Sequence, residues 1–187
     1  MKAIAHYLSQ LRITIAIPIL LLVCAALSCK KDETEDKQRE NIERYITSSL
    51  SSLNSPRAEV DERDGVYYVP LQIDSALSER ERIQVAAGDM VWFEYEARVM
   101  GGAIFATSDD AIAAANKIPS YNMGAITVGS GQVIAGLDRG LRRLSLHDEA
   151  LLLFPYTLGY GEQQVGLVPP LSPLMFRVLI TDIQKPK

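Results

Sequence analysis

Hydrophobic and polar residues alternate most regularly in "GDMVWFEYEARVMGG", where Val91, Phe93, Tyr95, Ala97 and Val99 are interleaved with Trp92, Glu94, Glu96 and Arg98. A two-residue period sends one set to each face of a strand. The segment therefore reads as a strand with one apolar face, as in an antiparallel sheet covering a core on one side. "DGVYYVPLQI" (Asp64–Ile73) reads as a strand entered through an Asp-Gly turn, and "AITVG", "EALLLFP" and "LMFRVLITDIQ" read as three more. The period changes in two places. In "RENIERYITSSLSSLNSP", Ile42, Tyr45, Ile46, Leu50 and Leu53 fall on one helical face, and Asn54, Ser55 and Pro56 end the run. This predicts an amphipathic helix over 39–53. A second helix is expected from Val133 to Leu144. The stretch from Phe105 to Gly129 is a long excursion with a short helical turn around Ala111–Ala115, and "YTLGYGEQQVGLVPPLS" is a second long loop. One helix among several strands implies an α+β fold, a curved antiparallel sheet closed on one side by that helix.

The first residues do not belong to this pattern. Lys2 and Arg12 flank "ITIAIPILLLVCAALSC", a charged start followed by an apolar run and small residues, which reads as a secretory signal. Its end, Leu27–Cys29, resembles the lipobox of bacterial lipoproteins, in which cleavage precedes a cysteine that then carries lipid. The expected division is a signal peptide over 1–28, a charged tether and amphipathic helix over 29–63, and a folded domain over 64–187, with Cys29 as lipid anchor. "KKDETED" directly after Cys29 resembles the acidic export signal of some Bacteroidetes-type lipoproteins; a solvated spacer is the alternative.

Composition narrows the chemistry. The chain has 19 Lys and Arg against 23 Asp and Glu, a net charge of −4, and loss of Lys2 and Arg12 makes it more acidic, so nucleic acid is not an expected partner. Cys24 leaves with the signal and Cys29 would be acylated, so no disulfide forms in the mature chain. His6 also leaves, and His147 remains alone in the polar turn "SLHDEA". One histidine cannot supply a His/Cys zinc site or a Cys–His pair, and a Ser–His–Asp triad would have to use His147. No metal or cofactor is expected.

"VGSGQVIAGLDRGLRRL" begins with glycines, as a phosphate loop does. A Walker loop needs Lys followed by Ser or Thr after its last glycine, whereas Leu137 follows Gly136. A dinucleotide fingerprint needs a parallel βαβ unit, and this strand pattern is antiparallel. The glycines lead instead into Val133-Ile134-Ala135-Gly136-Leu137. The free N–H groups of a helix start then face an apolar pocket suited to an uncharged carbonyl.

From here on, "VGSGQVIAGLDRGLRRLSLHDEALLLFPYTLGYG", "GLVPPLSPLMFRVLI" and "GDMVWFEYEARVMGGAIFATS" resemble, in order, segments of the FKBP family of peptidyl-prolyl cis–trans isomerases. The resemblance covers Asp64–Gln184. It implies an FKBP-like antiparallel half-barrel wrapped around one short helix, preceded here by the helical arm. It also implies an isomerase of prolyl-containing polypeptides, held by lipid in the bacterial envelope as an outer-membrane lipoprotein that assists the folding of exported proteins. A non-catalytic FKBP-like chaperone or envelope-complex module is the alternative. Carried over by residue, the catalytic pocket comprises Tyr95, Phe105, Val133, Ile134, Tyr160 and Phe176. Ala106 and Leu137 are substrate-binding positions, and Leu167 and Val168 form the rim. The Ile134 N–H and Tyr160 hydroxyl would hydrogen-bond the peptide. The family has Asp where Ala106 stands and Trp where Leu137 stands, so reduced activity and only weak macrolide binding are expected. The same match turns Ala150, Leu152, Phe154, Phe176, Val178 and Ile180 inward, leaving Trp92, Leu151, Leu153, Met175 and Leu179 outside. Such an apolar outer face needs cover, and helix 39–53 is the expected cover, within its own chain or across a homodimer.

Overall fold

The structure is a computed structural model that describes residues 34–48, 61–72 and 82–187. Residues Gln38–Lys187 form one compact unit. The expected signal segment, Cys29, Leu50 and Leu53 lie outside the described residues. Among the described residues, no helix is long and apolar enough to cross a membrane.

Helix α1 spans 34–48. Strand β1 (Asp61–Arg63) turns through Asp64 and Gly65 into β2 (Val66–Gln72). Both turn residues have positive φ, 56° and 79°, as a two-residue turn matched to strand twist requires. Among the described residues, β1 is the first strand of the sheet. Strand β3 (Met90–Val99) is followed by β4 (Ile104–Thr107), helix α2 (Asp110–Asn116), β5 (Ile126–Thr127), helix α3 (Ala135–Leu141), β6 (Glu149–Phe154), a 3₁₀ turn (Tyr156–Leu158) and β7 (Leu174–Gln184). Every strand pair is antiparallel, in the order β1-β2-β6-β7-β3-β4, with β5 also on β3.

Two elements depart from the sequence pattern. Strand β4 has no alternating signature in "IFAT" and forms by pairing with the end of β3. Helix α3 is shorter than Val133–Leu144. Ile134 is still extended (φ −59°, ψ 149°), and Arg142 already caps the other end. His147 lies in an exposed turn, as expected, with φ 66°.

The inner face of the sheet and α3 enclose the main core. Val91, Phe93, Tyr95 and Ala97 of β3 meet Ala150, Leu152 and Phe154 of β6, Phe176, Val178 and Ile180 of β7, and Leu137 and Leu141 of α3. The helix can lie this close because two residues on its buried side have no Cβ. A Cβ on Gly136 would stand 2.4 Å from the Phe154 ring, and one on Gly140 would stand 2.5 Å from a Leu152 methyl.

A second, smaller core lies on the outer face. Ile42 and Ile46 of α1 are buried against Tyr67, Val69, Leu151, Leu153 and Met175, with Tyr45 alongside. Of the two covers expected for this face, the intrachain one is realised. Trp92 and Leu179, half-buried, lie outside that cluster.

Candidate active site

The loop Val128–Ile134 enters the pocket because it is tied at both ends. Gly129, at φ 85°, donates its N–H to Asp138 Oδ1 of α3 (2.6 Å), and Arg142 pairs with the other oxygen of that carboxylate at 2.5 Å. Gln132 Oε1 accepts the Thr127 N–H at 2.6 Å. The loop then delivers Val133 and Ile134 to the mouth of a cavity over α3. Ile134 precedes the first helical residue without any side-chain cap, and its N–H is among the donors that a helix start leaves free.

Tyr95, Phe105, Ala106, Val133, Ile134, Leu137, Tyr160 and Phe176 line one cavity of about 480 Å³. Eight of the ten positions expected from the sequence therefore meet at one place. The other two do not line it. Val168 is buried in the main core, and Leu167 is 64% exposed on the loop beside it. Tyr121, Met123, Gly131 and Gln132 line the cavity as well, unmarked by any pattern. Tyr121 and Met123 come from the aperiodic excursion between α2 and β5.

The walls are an aromatic network. Phe176 stacks on Phe154 (centroids 5.7 Å apart) and on Tyr95 (6.3 Å), while Phe105 meets Phe176 and Tyr160 edge-on at 6.0 and 6.2 Å. Offset and edge-on pairs are the favoured arrangements of such rings, so the walls hold one another in place. Leu137, 1% exposed, forms the floor.

Two of the lining residues, Tyr95 and Tyr160, carry hydroxyls. Tyr95 donates to the Tyr121 carbonyl at 3.0 Å; Ala106 offers no side-chain acceptor, and the excursion supplies one from its backbone. Burial, and then the neighbouring Tyr121 and Tyr160, push the Tyr95 phenol up to about 12. Burial also raises Tyr160. Both phenols therefore stay protonated, as donors, at neutral pH. Among the described residues, no group of His, Cys, Asp and Glu could hold a metal ion. The arrangement can grip an uncharged amide between aromatic walls, with donors at the Ile134 N–H and Tyr160 Oη.

Comparison with known proteins agrees with this geometry. Residues 81–181 match the model of FKBP-type peptidyl-prolyl cis-trans isomerases. Peptidyl-prolyl cis-trans isomerase FKBP10 of Bos taurus is 35% identical over 101 residues, covering 54% of this chain but only 16% of the bovine protein. FK506-binding protein 2 of Debaryomyces hansenii is 28% identical over 114 residues, covering 59% of this chain and 76% of its own. The crystal structure of the three FKBP domains of wheat FKBP73 superposes with a TM-score of 0.55 at 18% identity, covering 69% of this chain and 50% of that one, and so shares the fold. With the family's segment spanning more than half of its length, this chain belongs to the FKBP-type peptidyl-prolyl cis-trans isomerase family.

Proposed function

We propose that the chain is a peptidyl-prolyl cis–trans isomerase anchored by lipid in a bacterial envelope, acting on exported polypeptides. The observation that carries the catalytic reading is an aromatic cavity whose lining includes Ile134, at the start of a helix, and Tyr160. Rotation about an X-Pro bond passes through a twisted amide that has lost its resonance, over a barrier of about 18–20 kcal/mol. Water solvates the planar, dipolar amide better than the twisted one. A dry aromatic pocket removes that advantage. The Ile134 N–H and Tyr160 hydroxyl hold the flanking peptide while the bond turns. Neither a nucleophile nor a proton transfer is required. Catalysis is tighter binding of the twisted state, and about 4 kcal/mol of it gives a thousandfold acceleration.

A non-catalytic binding module is favoured by one observation, the smaller floor at Leu137 with Ala106 beside it. A protease-free isomerisation assay on a prolyl peptide separates the two readings. Catalysed exchange supports the enzyme, and the spontaneous rate in the presence of folded protein supports the module. Anchoring rests on Leu27–Cys29. Cells fed labelled fatty acid are expected to label the wild-type chain and not Cys29→Ala. Label on Cys29→Ala defeats the anchor.

A further inference from the structure

We propose that Gln38 is a positioning residue for the peptide-binding loop, so that helix α1 sets the geometry of the pocket from the outer face of the sheet. The proposal rests on the isomerase reading for its consequence and on the following hydrogen bonds for its cause. The Tyr156 N–H donates to Gln38 Oε1 at 3.0 Å. The Gly161 N–H donates to the Tyr156 carbonyl at 3.0 Å, and the Leu171 N–H donates to the Gly161 carbonyl at 2.9 Å. Gln38 Nε2 then donates to the Leu171 carbonyl at 2.6 Å. These four bonds close a ring through one side chain and three backbone positions. Tyr160 sits inside it, between Tyr156 and Gly161.

Three features show that the ring is built in rather than incidental. Gln38 lies four residues before Ile42 and so continues the stripe of Ile42, Tyr45 and Ile46. An apolar residue there would extend the outer core. Instead an amide is buried, 9% exposed, with its donor and its acceptor both engaged. Buried amides are tolerated when satisfied in this way. Leu171 is held at φ 57°, a left-handed conformation unfavourable to a branched side chain, although that side chain is 41% exposed. Burial of Leu171 therefore does not account for its backbone, and in this conformation its carbonyl accepts from Gln38. Finally, one side chain, Gln38, supplies both bonds that join Tyr156 to Leu171. The segment 156–171 reaches α1 through these polar contacts, whereas α1 grips the sheet through Ile42 and Ile46. Helix docking and loop positioning are thus separable by mutation.

The test uses the full chain with Gln38→Leu, alone and in a Tyr160→Phe background. Backbone hydrogen exchange at Gly161 and Leu171 is expected to quicken about tenfold or more, while amides at the centre of β3 and β7 keep their protection. The kcat/KM for a prolyl peptide is expected to fall about tenfold, and less than about twofold when Tyr160 is already Phe, because residues acting through one another are not additive. Unchanged exchange at both amides overturns the proposal, as does the same fold-loss in both backgrounds. Should Gln38→Leu fail to fold, Gln38→Glu keeps the shape and the acceptor for Tyr156 and replaces the donor to Leu171 with a charged carboxylate oxygen that repels that carbonyl. It is expected to quicken exchange at the same two amides, and normal protection there overturns the ring. A wild-type chain without isomerase activity would remove the isomerase reading, and the exchange data would still decide whether Gln38 holds the loop.

Discussion

Tyr160 and Phe105 meet edge-on, yet they contribute differently to the proposed chemistry. Tyr160→Phe keeps the ring contact and removes one hydroxyl. A net hydrogen bond is worth about 0.5–1.5 kcal/mol, so kcat/KM is expected to drop by about two- to thirteenfold with little change in melting temperature. Phe105→Ala removes a wall that touches both Phe176 and Tyr160. Near-complete loss of activity is expected, in protein shown by circular dichroism to be folded. Wild-type rates in both variants would mean that the peptide binds elsewhere. The family departures give a gain-of-function test. Leu137→Trp with Ala106→Asp restores a broader floor and a carboxylate, and is expected to raise turnover or macrolide affinity; a folded double variant without gain would show that the pocket works on different contacts. What the sequence made legible here was the ordered set Tyr95, Phe105, Val133, Ile134, Tyr160 and Phe176, because they appear together in the order of the family's motifs, with Tyr95 and Phe176 also on alternating strands. Tyr121 and Met123 were not legible. They lie in a segment without periodicity, placed by hydrogen bonds of the Tyr121 backbone, its carbonyl accepting from Tyr95 and its N–H donating to the Thr107 carbonyl, which no side-chain pattern encodes.

At the scale of elements, the seat of α3 on β6 depends on what two residues lack. Gly136→Ala would drive a methyl into the Phe154 ring, which is backed by Phe176 and cannot retreat freely. Overpacking of this kind costs about 1–3 kcal/mol, so a lower denaturation midpoint is expected, with reduced activity because Ile134 directly precedes the same helix. An unchanged midpoint would show that the helix can ride outward. Helix α1 depends on what it carries. Ile42 is fully buried under the outer face, and Ile42→Ala is expected to destabilise by about 2–5 kcal/mol, read by urea unfolding. A cost below about 0.5 kcal/mol, typical of surface substitutions, would mean that α1 is not docked there in solution. Alternation in β3, β6 and β7 made this face readable, since Leu151, Leu153 and Met175 stood where polar residues were expected. Strand β4 was unreadable because four residues, "IFAT", carry too little periodicity, and its pairing with β3 is a tertiary contact. The Val133–Leu144 helix was overextended for a related reason. Val133 and Ile134 are apolar like the helix that follows, but they line the cavity in extended backbone.

For the molecule as a whole, buried phenols on both faces of the sheet tie folding to alkaline pH. On the outer face, Tyr67 is raised by burial, then by the charges of Glu62 and Glu43, and it donates to Glu43 at 3.2 Å. Tyr68, with Arg143 stacked over its ring, is raised by burial and then by Asp148, against opposing pulls from Arg82 and Arg143. In the pocket, burial raises Tyr95 to about 12 and also raises Tyr160. An unfolded tyrosine titrates near pH 10. Below that pH, folded and unfolded chains hold the same phenolic protons, and these groups give stability no slope. Above it, the unfolded chain releases protons that the folded chain retains. The unfolded state then binds fewer protons, so stability falls as pH rises; for Tyr95 the fall continues until its folded phenol also titrates at about 12. The urea midpoint is therefore expected to decline steeply between about pH 10 and about pH 12, with the pocket and the α1 seat losing stability together. Tyr95→Phe removes one contributor and is expected to flatten that decline while lowering stability at neutral pH, where its bond to the Tyr121 carbonyl is lost. Isomerase activity is expected to hold level through mildly alkaline pH, because Tyr160 remains a donor there, and to fail with the fold rather than before it. Activity that titrates away near pH 8 in protein that is still folded would show that a group other than these phenols governs the site.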